Sequence, residues 1–306
     1  MRLTRRDLIK MGTGAGAIAF SGSWNSLLAA NPSTIKTTIP STGQQLPCVG
    51  LGTVKFRGDP SSAAMTPFKQ TLEKFYSLGG QLLDTSPNYG NSEEVLGHLL
   101  ADLKIRDKVF MATKVDREDQ AEGVERMKGS FNRLGGSIDL MQVHNLRGTD
   151  HQLETMQAWK KQGRIKYIGI TTHRVSQHEE IERYMIKYPL DFVQVNYSLA
   201  DRAAAGRILP LAQDRGIAVL VNRPFGNGRL FSAVKGVELP DWATEIDAKS
   251  WGQVFLKYII SHPSATIPIP GTSKPHHAED NIGAMTGRLP DLGLRREMEK
   301  FMDGLM

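Results

Sequence analysis

From residue 48 onward the chain alternates between short apolar segments and amphipathic segments, and the alternation repeats eight times. The apolar segments are hydrophobic at most positions rather than at every second one, which is typical of strands buried on both faces in a parallel sheet. Eight β-then-α units predict an α/β fold, a (β/α)8 TIM barrel. A doubly wound open sheet is the alternative, but no Gly-x-Gly-x-x-Gly follows the first strand.

The element boundaries follow from runs of apolar residues, caps and glycines. An N-terminal hairpin, residues 34–39 and 45–47, is predicted to precede the barrel. Ser176 and Glu179 have the spacing of a capping box, which predicts a helix from there to Tyr188. The predicted strands are 48–53, 81–84, 108–114, 138–144, 165–171, 192–197, 218–222 and 265–269. The predicted helices include 66–78, 92–103, 124–134, 152–161, 203–215, 249–261, 275–284 and a last amphipathic helix through residue 305.

Residues 1–30 do not match this alternation and are predicted to be a twin-arginine signal peptide. The motif is Thr4-Arg-Arg-Asp-Leu-Ile-Lys10, followed by a segment rich in Gly and Ala that is too short and too interrupted to span a membrane. We therefore expect a mature chain of residues 31–306, exported to the periplasm or beyond, with the Tat translocase as its partner during export. A disordered basic N-terminus is the alternative interpretation.

The formal charge argues against a nucleic-acid partner. The whole chain carries a net charge of +6, of which residues 1–30 contribute +3. The net charge of residues 31–306 is therefore small, and these residues contain no polybasic run. The single cysteine, Cys48, excludes a disulfide within the chain. After residue 31 no linker or shift in composition divides the sequence, so one domain is predicted for residues 31–306, with no stable membrane insertion.

Polar side chains stand where neighbouring predicted strands end. Asp84 closes the second strand, Lys114 the third and His144 the fourth, and Tyr89 lies on the loop after the second strand. Each residue alone has an ordinary interpretation, such as a turn aspartate or a core histidine. The carboxyl ends of barrel strands share one rim, however. Their position on consecutive units therefore predicts a site.

The residues around these positions resemble the motifs of the aldo-keto reductases. Leu83-Asp84-Thr-Ser-Pro-Asn-Tyr89-Gly, Met111-Ala-Thr-Lys114 and Leu140-Met-Gln-Val-His144 are similar to that family's Asp, Tyr, Lys and His motifs. The segment 47–53 resembles its first strand, and the hairpin resembles its barrel-bottom plug. The resemblance covers residues 34–281 and implies an enzyme that reduces aldehydes or ketones to alcohols with a nicotinamide cofactor.

The resemblance implies a role for each of the four residues. Tyr89 would deliver a proton to the carbonyl oxygen, although a free tyrosine, with a pKa of about 10, is a poor proton donor near neutral pH. The ammonium of Lys114 would favour the phenolate, and Asp84 would hold that ammonium. His144 would orient the carbonyl and stabilise charge developing on its oxygen.

The cofactor residues depart in part from the family pattern. Residues 267–281 resemble the adenosine-phosphate segment, which leads into a helix N-terminus that favours phosphate. Gly271 and His277 replace a lysine and an arginine that commonly bind the 2′-phosphate, and Lys274 is a candidate substitute. NADPH is expected, with NADH as the alternative. The residues implied to bind cofactor are Thr53, Thr171, Thr172, Gln194, Asn222, Arg223, Thr272, Lys274, Asp280 and Asn281.

Other features leave alternatives open. His276 and His277 are too few ligands to predict a metal site. The segment 226–247, with Phe231 and Trp242, is a candidate lid or an ordinary long surface loop. Free nicotinamide cofactor is not expected to be abundant outside the cytoplasm. A rival hypothesis is therefore a cofactor-holding redox sensor or partner-binding module, as the potassium-channel β-subunits of the superfamily suggest. A hydrolase would need a carboxylate pair or metal ligands at the rim, and neither is evident.

Overall fold

The computed structural model describes residues 34–306, so the predicted signal peptide lies outside the described residues. Two short antiparallel strands come first, β1 (Lys36–Thr38) and β2 (Gln45–Pro47). Eight further strands then form one sheet in sequence order, and each pairs in parallel with the next. They are β3 (Leu51–Gly52), β4 (Leu82–Asp84), β5 (Phe110–Val115), β6 (Ile138–His144), β7 (Ile165–Thr171), β8 (Phe192–Asn196), β9 (Ala218–Asn222) and β10 (Thr266–Pro268).

The first and last strands of the sheet meet, which closes the barrel. The backbone N–H of Gly50 donates to the carbonyl of Pro268 at 2.9 Å, and that of Gly52 donates to Pro270 at 3.2 Å. A Cβ atom at Gly50 would lie 2.7 Å from a methyl carbon of Leu82, so the close approach needs a glycine there. The predicted (β/α)8 barrel with an N-terminal hairpin is confirmed.

Helices cover the outside of the barrel, and most of them follow the predicted positions. The helix after β6 begins a few residues earlier than predicted, and the excursion after β9, residues 226–247, contains a short helix of its own. The helices are α1 (Thr66–Ser77), α2 (Ser92–Asp102), α3 (Gln120–Leu134), α4 (Thr149–Lys161), α5 (His178–Lys187), α6 (Ala203–Gly206), α7 (Ile208–Asp214), α8 (Arg229–Ala233), α9 (Trp251–Ile260), α10 (Pro275–Gly283) and α11 (Leu292–Asp303).

The predicted capping box at Ser176 is wrong. Residues Val175–Gln177 form a 3-10 turn, α5 begins at His178, and Gln177 precedes it without a side-chain cap. The hydroxyl of Thr172 organises this turn instead, because it accepts from the backbone N–H of Arg174 at 3.1 Å and donates to the side-chain carbonyl of Gln177 at 2.5 Å. Ser176 therefore lies inside the turn rather than at the helix start.

The predicted helix 203–215 is interrupted. Its two parts, α6 and α7, are separated by Arg207, whose φ of −145° and ψ of −47° are not helical. Pro210 explains the break, because a proline has no N–H to donate to the carbonyl four residues earlier. Starting a new helix at Ile208 puts Pro210 in a first turn, where the missing N–H is not needed.

The apolar residues form two layers. The larger one packs the helices onto the outside of the sheet, and the smaller one fills the inside of the barrel with residues such as Phe110, Tyr167 and Phe192. The hairpin contributes Ile39 and Leu46 to the inner layer and so closes the end of the barrel where the strands begin. The opposite end, where the strands finish, carries the polar residues. Across residues 34–306, no helix combines the length and the apolar character that a membrane span requires.

Candidate active site

Lys114 and Asp84 form a buried ion pair inside the carboxyl end of the barrel. Nζ of Lys114 lies 2.6 Å from Oδ2 of Asp84 and donates a second hydrogen bond, of 2.7 Å, to the carbonyl of Thr85. The side chains of the pair are 1% and 3% exposed. Burial works to lower the pKa of Lys114, but the negative charge of Asp84 and the contact with Tyr89 more than offset it, so the pKa lies above its ordinary value. Lys114 therefore remains a cation.

The second oxygen of Asp84 is held by two buried amides. Gln142 and Gln194 donate to Oδ1 of Asp84 at 3.2 and 3.0 Å. Gln194 also donates to the side-chain carbonyl of Gln142 at 3.2 Å, and Thr171 donates to that of Gln194 at 3.1 Å. Gln142 was not predicted, although it lies two residues before His144 on β6 and thus on the same face. This network fixes Asp84 and, through it, Lys114.

Tyr89 and His144 flank this ion pair, so the structure brings all four predicted residues together. Nζ of Lys114 is 5.2 Å from the centre of the Tyr89 ring. The rings of Tyr89 and His144 meet edge to face, with centres 6.1 Å apart. Burial, followed by the positive charge of Lys114 and the proximity of His173, lowers the pKa of His144 to about 3. His144 is therefore neutral at ordinary pH.

The loop after β4 is fixed by polar contacts that sequence reasoning missed. Oγ of Ser86 lies 3.2 Å from Nδ1 of His144 and accepts from the backbone N–H of Asn88 at 3.1 Å. The side-chain amide of Asn88 donates to Asp116, and its carbonyl accepts from Arg126 at 2.9 Å. Asn88 and Tyr89 are neighbours, so these contacts also set the position of Tyr89.

A cavity of about 850 Å³ opens at this end of the barrel. Its volume is in the range of small-molecule and cofactor sites. Asn145 and Asn222, which both line it, have buried side-chain carbonyl oxygens without a partner among the described residues. Lys55, His173 and the short segment around Phe231 also border it. The predicted residues in its wall are Thr53, Asp84, Tyr89, His144, Thr171, Gln194, Asn222 and Arg223.

The remaining predicted cofactor residues lie outside that wall. Thr172 is completely buried and organises the turn after β7. The hydroxyl of Thr272 accepts from the backbone N–H of Lys274 at 3.1 Å. The carboxylate of Asp280 accepts from Ser250, at 2.8 Å to each oxygen, which ties α10 to α9. Asn281 is buried in α10, and Lys274 is exposed before its N-terminus, which has no side-chain cap.

The excursion after β9 divides into two parts. Its first part borders the cavity, where Phe231 is 44% exposed and contacts Phe225 with ring centres 4.9 Å apart. Its second part is packed into the outer core, because Trp242 is buried against Trp251 and Phe301. Trp242 is therefore a core residue and not part of a lid. Within residues 34–306, no group of three or more His, Cys, Asp or Glu side chains is arranged to hold a metal ion.

The fold and this site define a class: a parallel barrel with a buried lysine–aspartate pair, a tyrosine and a neutral histidine at the mouth of a cofactor-sized cavity. The model of the Aldo/keto reductase family matches residues 48–296. The chain therefore belongs to the aldo/keto reductase family, a family of oxidoreductases.

Individual relatives are more distant. An uncharacterized oxidoreductase of Schizosaccharomyces pombe is 29% identical over 228 residues, which cover 70% of this chain and 72% of the relative. The aldo-keto reductase YhdN of Bacillus subtilis is 29% identical over 206 residues, 60% of each chain. The aldo-keto reductase yakc [NADP(+)] of S. pombe is 25% identical, covering 83% of this chain and 88% of the relative.

Solved structures share the fold. An aldo/keto reductase from Klebsiella pneumoniae, in complex with NADP and acetate, superposes with a TM-score of 0.73 and 24% identity, covering 88% of this chain and 95% of that one. The holo form of an aldo-keto reductase from Bacillus halodurans gives a TM-score of 0.71 with 22% identity, over 88% and 96% of the two chains.

Proposed function

We propose that this protein reduces aldehydes or ketones to alcohols, with NADPH as the cofactor and Tyr89 as the acid. NADH is the alternative cofactor. The observation that carries the proposal is the position of the Lys114 ammonium, 2.6 Å from the Asp84 carboxylate and 5.2 Å from the centre of the Tyr89 ring, beside a cavity of about 850 Å³. A cation held this close to a phenol stabilises the phenolate that remains after a proton has left.

The cavity fits a nicotinamide cofactor. The unpartnered side-chain carbonyls of Asn145 and Asn222 would accept hydrogen bonds from a polar ligand, and Arg223 adds a positive charge to the wall. The uncapped N-terminus of α10, with Lys274 before it, suits a phosphate group. The names of the S. pombe relative yakc and of the K. pneumoniae complex both mention NADP, which supports the choice of NADPH.

When bound, the reduced nicotinamide supplies the hydride that adds to the carbonyl carbon. The residues of the chain stabilise and protonate the carbonyl oxygen, which becomes negatively charged. His144, neutral because of its lowered pKa, can donate a hydrogen bond to that oxygen. The hydroxyl of Tyr89 then gives it a proton. Lys114 stabilises the resulting phenolate, and Asp84 keeps Lys114 in place.

The test is an assay of NADPH and NADH oxidation with an activated aromatic aldehyde. We expect Tyr89→Phe to lower kcat by about 100-fold or more, the typical contribution of a general acid, while the Kd for the cofactor stays unchanged. Tyr76→Phe is the matched control, because Tyr76 is a partly buried tyrosine on α1 that does not line the cavity. It should keep wild-type turnover.

Two other outcomes would change the proposal. Cofactor binding without turnover on a broad panel of aldehydes and ketones would favour the redox sensor or partner-binding module. If neither cofactor bound, the assignment of cofactor-binding residues at the cavity and at α10 would be wrong.

Export through the twin-arginine pathway is a further part of the proposal. It is supported by the sequence Thr4-Arg-Arg-Asp-Leu-Ile-Lys10. This pathway moves folded proteins, so the chain could carry a cofactor bound before export. The protein would then act on small carbonyl compounds in the periplasm or outside the cell.

A further inference from the structure

Ser86 is a buried residue whose hydroxyl contacts one ring nitrogen of His144. The distance between Oγ of Ser86 and Nδ1 of His144 is 3.2 Å. Ser86 is completely buried and His144 is 9% exposed. A hydrogen bond between a hydroxyl and an imidazole nitrogen can run in either direction. Its direction decides which of the two ring nitrogens carries the proton.

The surroundings of Ser86 select one direction. Its oxygen already accepts a hydrogen bond of 3.1 Å from the backbone N–H of Asn88. Among residues 34–306, Nδ1 of His144 is the only acceptor that forms a hydrogen bond with the Ser86 hydroxyl. If Nδ1 carried a proton, Ser86 would face two donors, and its own proton would have no acceptor in a place that water does not reach. Buried polar groups without partners are rare because they are costly.

We infer that Ser86 donates to Nδ1 of His144 and so holds this ring as the neutral tautomer with its proton on Nε2. His144 lines the cavity, so the Nε2–H group is the donor available to a ligand oxygen there. Ser86 thus acts through His144 and is a positioning residue. This assignment of the tautomer stands on the hydrogen bonds alone, whereas the identity of the ligand oxygen as a substrate carbonyl rests on the proposed function.

The segment that carries Ser86 is itself clamped from two other elements. Asp116, which follows β5, accepts from the side-chain amide of Asn88. Arg126 of α3 donates to the side-chain carbonyl of Asn88 at 2.9 Å and to the backbone carbonyl of Pro87 at 3.1 Å. These contacts keep the N–H of Asn88 directed at Ser86, so the proton of the hydroxyl stays directed at His144.

The charges near His144 oppose protonation of both nitrogens. Burial and the neighbouring Lys114 and His173 lower the pKa of His144 to about 3. The ring therefore stays neutral at ordinary pH, so His144 exists as one or the other of its two neutral tautomers.

Nitrogen NMR of the purified full-length chain, labelled with ¹⁵N in histidine, tests the assignment directly. A His144→Gln variant identifies the resonances of His144 among the eight histidines of the chain. At neutral pH we expect Nδ1 of His144 to resonate as an unprotonated, pyridine-type nitrogen and Nε2 as a protonated, pyrrole-type nitrogen. A protonated Nδ1 in the wild-type chain would overturn the inference, and this measurement requires no turnover.

Ser86→Ala tests the role of the hydroxyl. Without the hydrogen bond, the Nδ1 resonance should move towards the value of a pyridine-type nitrogen that accepts no bond. Ser92→Ala is the matched control, because Ser92 is an equally buried serine whose hydroxyl contacts Thr53 and Thr85 rather than His144. An Nδ1 resonance unchanged in Ser86→Ala, or shifted equally in Ser92→Ala, would contradict the assignment.

Activity gives a separate measurement. If the proposed reduction occurs, Ser86→Ala should lower kcat by about threefold to tenfold, since a smaller fraction of molecules presents the Nε2–H group correctly. The Kd for the cofactor should not change. If no carbonyl compound is reduced while the tautomer is as expected, the proposed function fails and the inference about Ser86 survives.

Discussion

Nζ of Lys114 and Oδ2 of Asp84 lie 2.6 Å apart, and almost no surface of either side chain is exposed to solvent. A buried charge is tolerated only beside its partner. The ion pair and its hydrogen bonds offset the free energy that is lost when the charge is removed from water. The two residues come from adjacent strands, β4 and β5. The same ion pair therefore contributes both to the proposed reaction and to the stability of the barrel.

Replacing Asp84 by Asn should destabilise the protein by about 3–5 kcal/mol, because the ammonium of Lys114 is left buried without a counter-charge. The carbonyl of the new Asn can still accept hydrogen bonds from Gln142 and Gln194, but its NH2 group then faces the ammonium of Lys114, so the loss combines the missing charge with a missing hydrogen-bond acceptor. The free energy of unfolding is measured by urea denaturation. The double variant Asp84→Asn with Lys114→Met removes both charges and should regain most of this stability without regaining turnover. A loss below about 1 kcal/mol in Asp84→Asn would show that the pair is not needed for folding.

The four site residues could be predicted because each stands at a place that the sequence itself marks. Asp84, Lys114 and His144 end apolar strands, and the barrel brings strand ends to one rim. The bond between Ser86 and His144 could not be predicted in this way. It depends on side-chain directions between a loop and the end of a strand, which no spacing along the chain encodes.

The errors in the prediction have local or long-range causes. Pro210 is a visible local signal for the break at Arg207, because a proline fits only the first turn of a helix. The burial of Trp242 depends instead on contact with Phe301, which lies about 60 residues further along the chain and brings α11 against the excursion.

Acid should destabilise the folded protein through its buried histidines. Burial, followed by the charge of Arg295, lowers the pKa of His262 from 6.5 to about 4. Below pH 6.5 the unfolded chain binds a proton at this residue while the folded chain does not. The unfolded state therefore holds more protons, and stability, complete above pH 6.5, falls as the pH decreases towards 4. His144, with a pKa lowered to about 3, acts in the same direction.

His262→Asn should flatten this acid dependence, as followed by the Tm between pH 7 and pH 4. Asn is suitable because Nδ1 of His262 accepts from the backbone N–H of Ser264 at 3.2 Å, and an amide oxygen can replace this acceptor without titrating. His151→Asn is the control, because His151 is exposed on α4 and should leave the curve unchanged. If the Tm of His262→Asn falls as steeply with decreasing pH as the Tm of the wild type, other groups cause the acid dependence.

Lys274 should set the preference for NADPH over NADH. Burial and the nearby His276 and Lys274 lower the pKa of His277, so His277 adds no full charge at neutral pH and Lys274 is the cation next to the N-terminus of α10. We expect Lys274→Ala to raise the Kd for NADPH about fivefold and to leave the Kd for NADH unchanged, as suits the loss of one exposed charge contact of ~1 kcal/mol. Fluorescence titration measures both constants.

Lys36→Ala is the matched control for Lys274. Lys36 is also exposed, but it lies on the hairpin that covers the opposite end of the barrel, next to the beginnings of the strands. The variant makes the same change in net charge far from the cavity and should leave both constants unchanged. An equal loss of NADPH affinity in the two variants would indicate a general effect of charge rather than contact with a phosphate.

Export should depend on the arginine pair at residues 5 and 6. Changing Arg5 and Arg6 together to lysine preserves the positive charge and removes the arginine side chains that define a twin-arginine signal. In a bacterium with an active twin-arginine pathway, we expect the wild-type chain in the periplasmic fraction and the double variant in the cytoplasmic fraction. Immunoblots of the separated fractions measure the distribution.

The control for this experiment is the double variant Arg183→Lys with Arg296→Lys. It makes the same chemical change twice at exposed positions of the barrel and should be exported like the wild type. A host lacking the translocase should retain every variant in the cytoplasm. If the Arg5 and Arg6 variant reaches the periplasm as efficiently as the control, the arginine pair does not direct export, and the supply of cofactor outside the cytoplasm remains a constraint on the function.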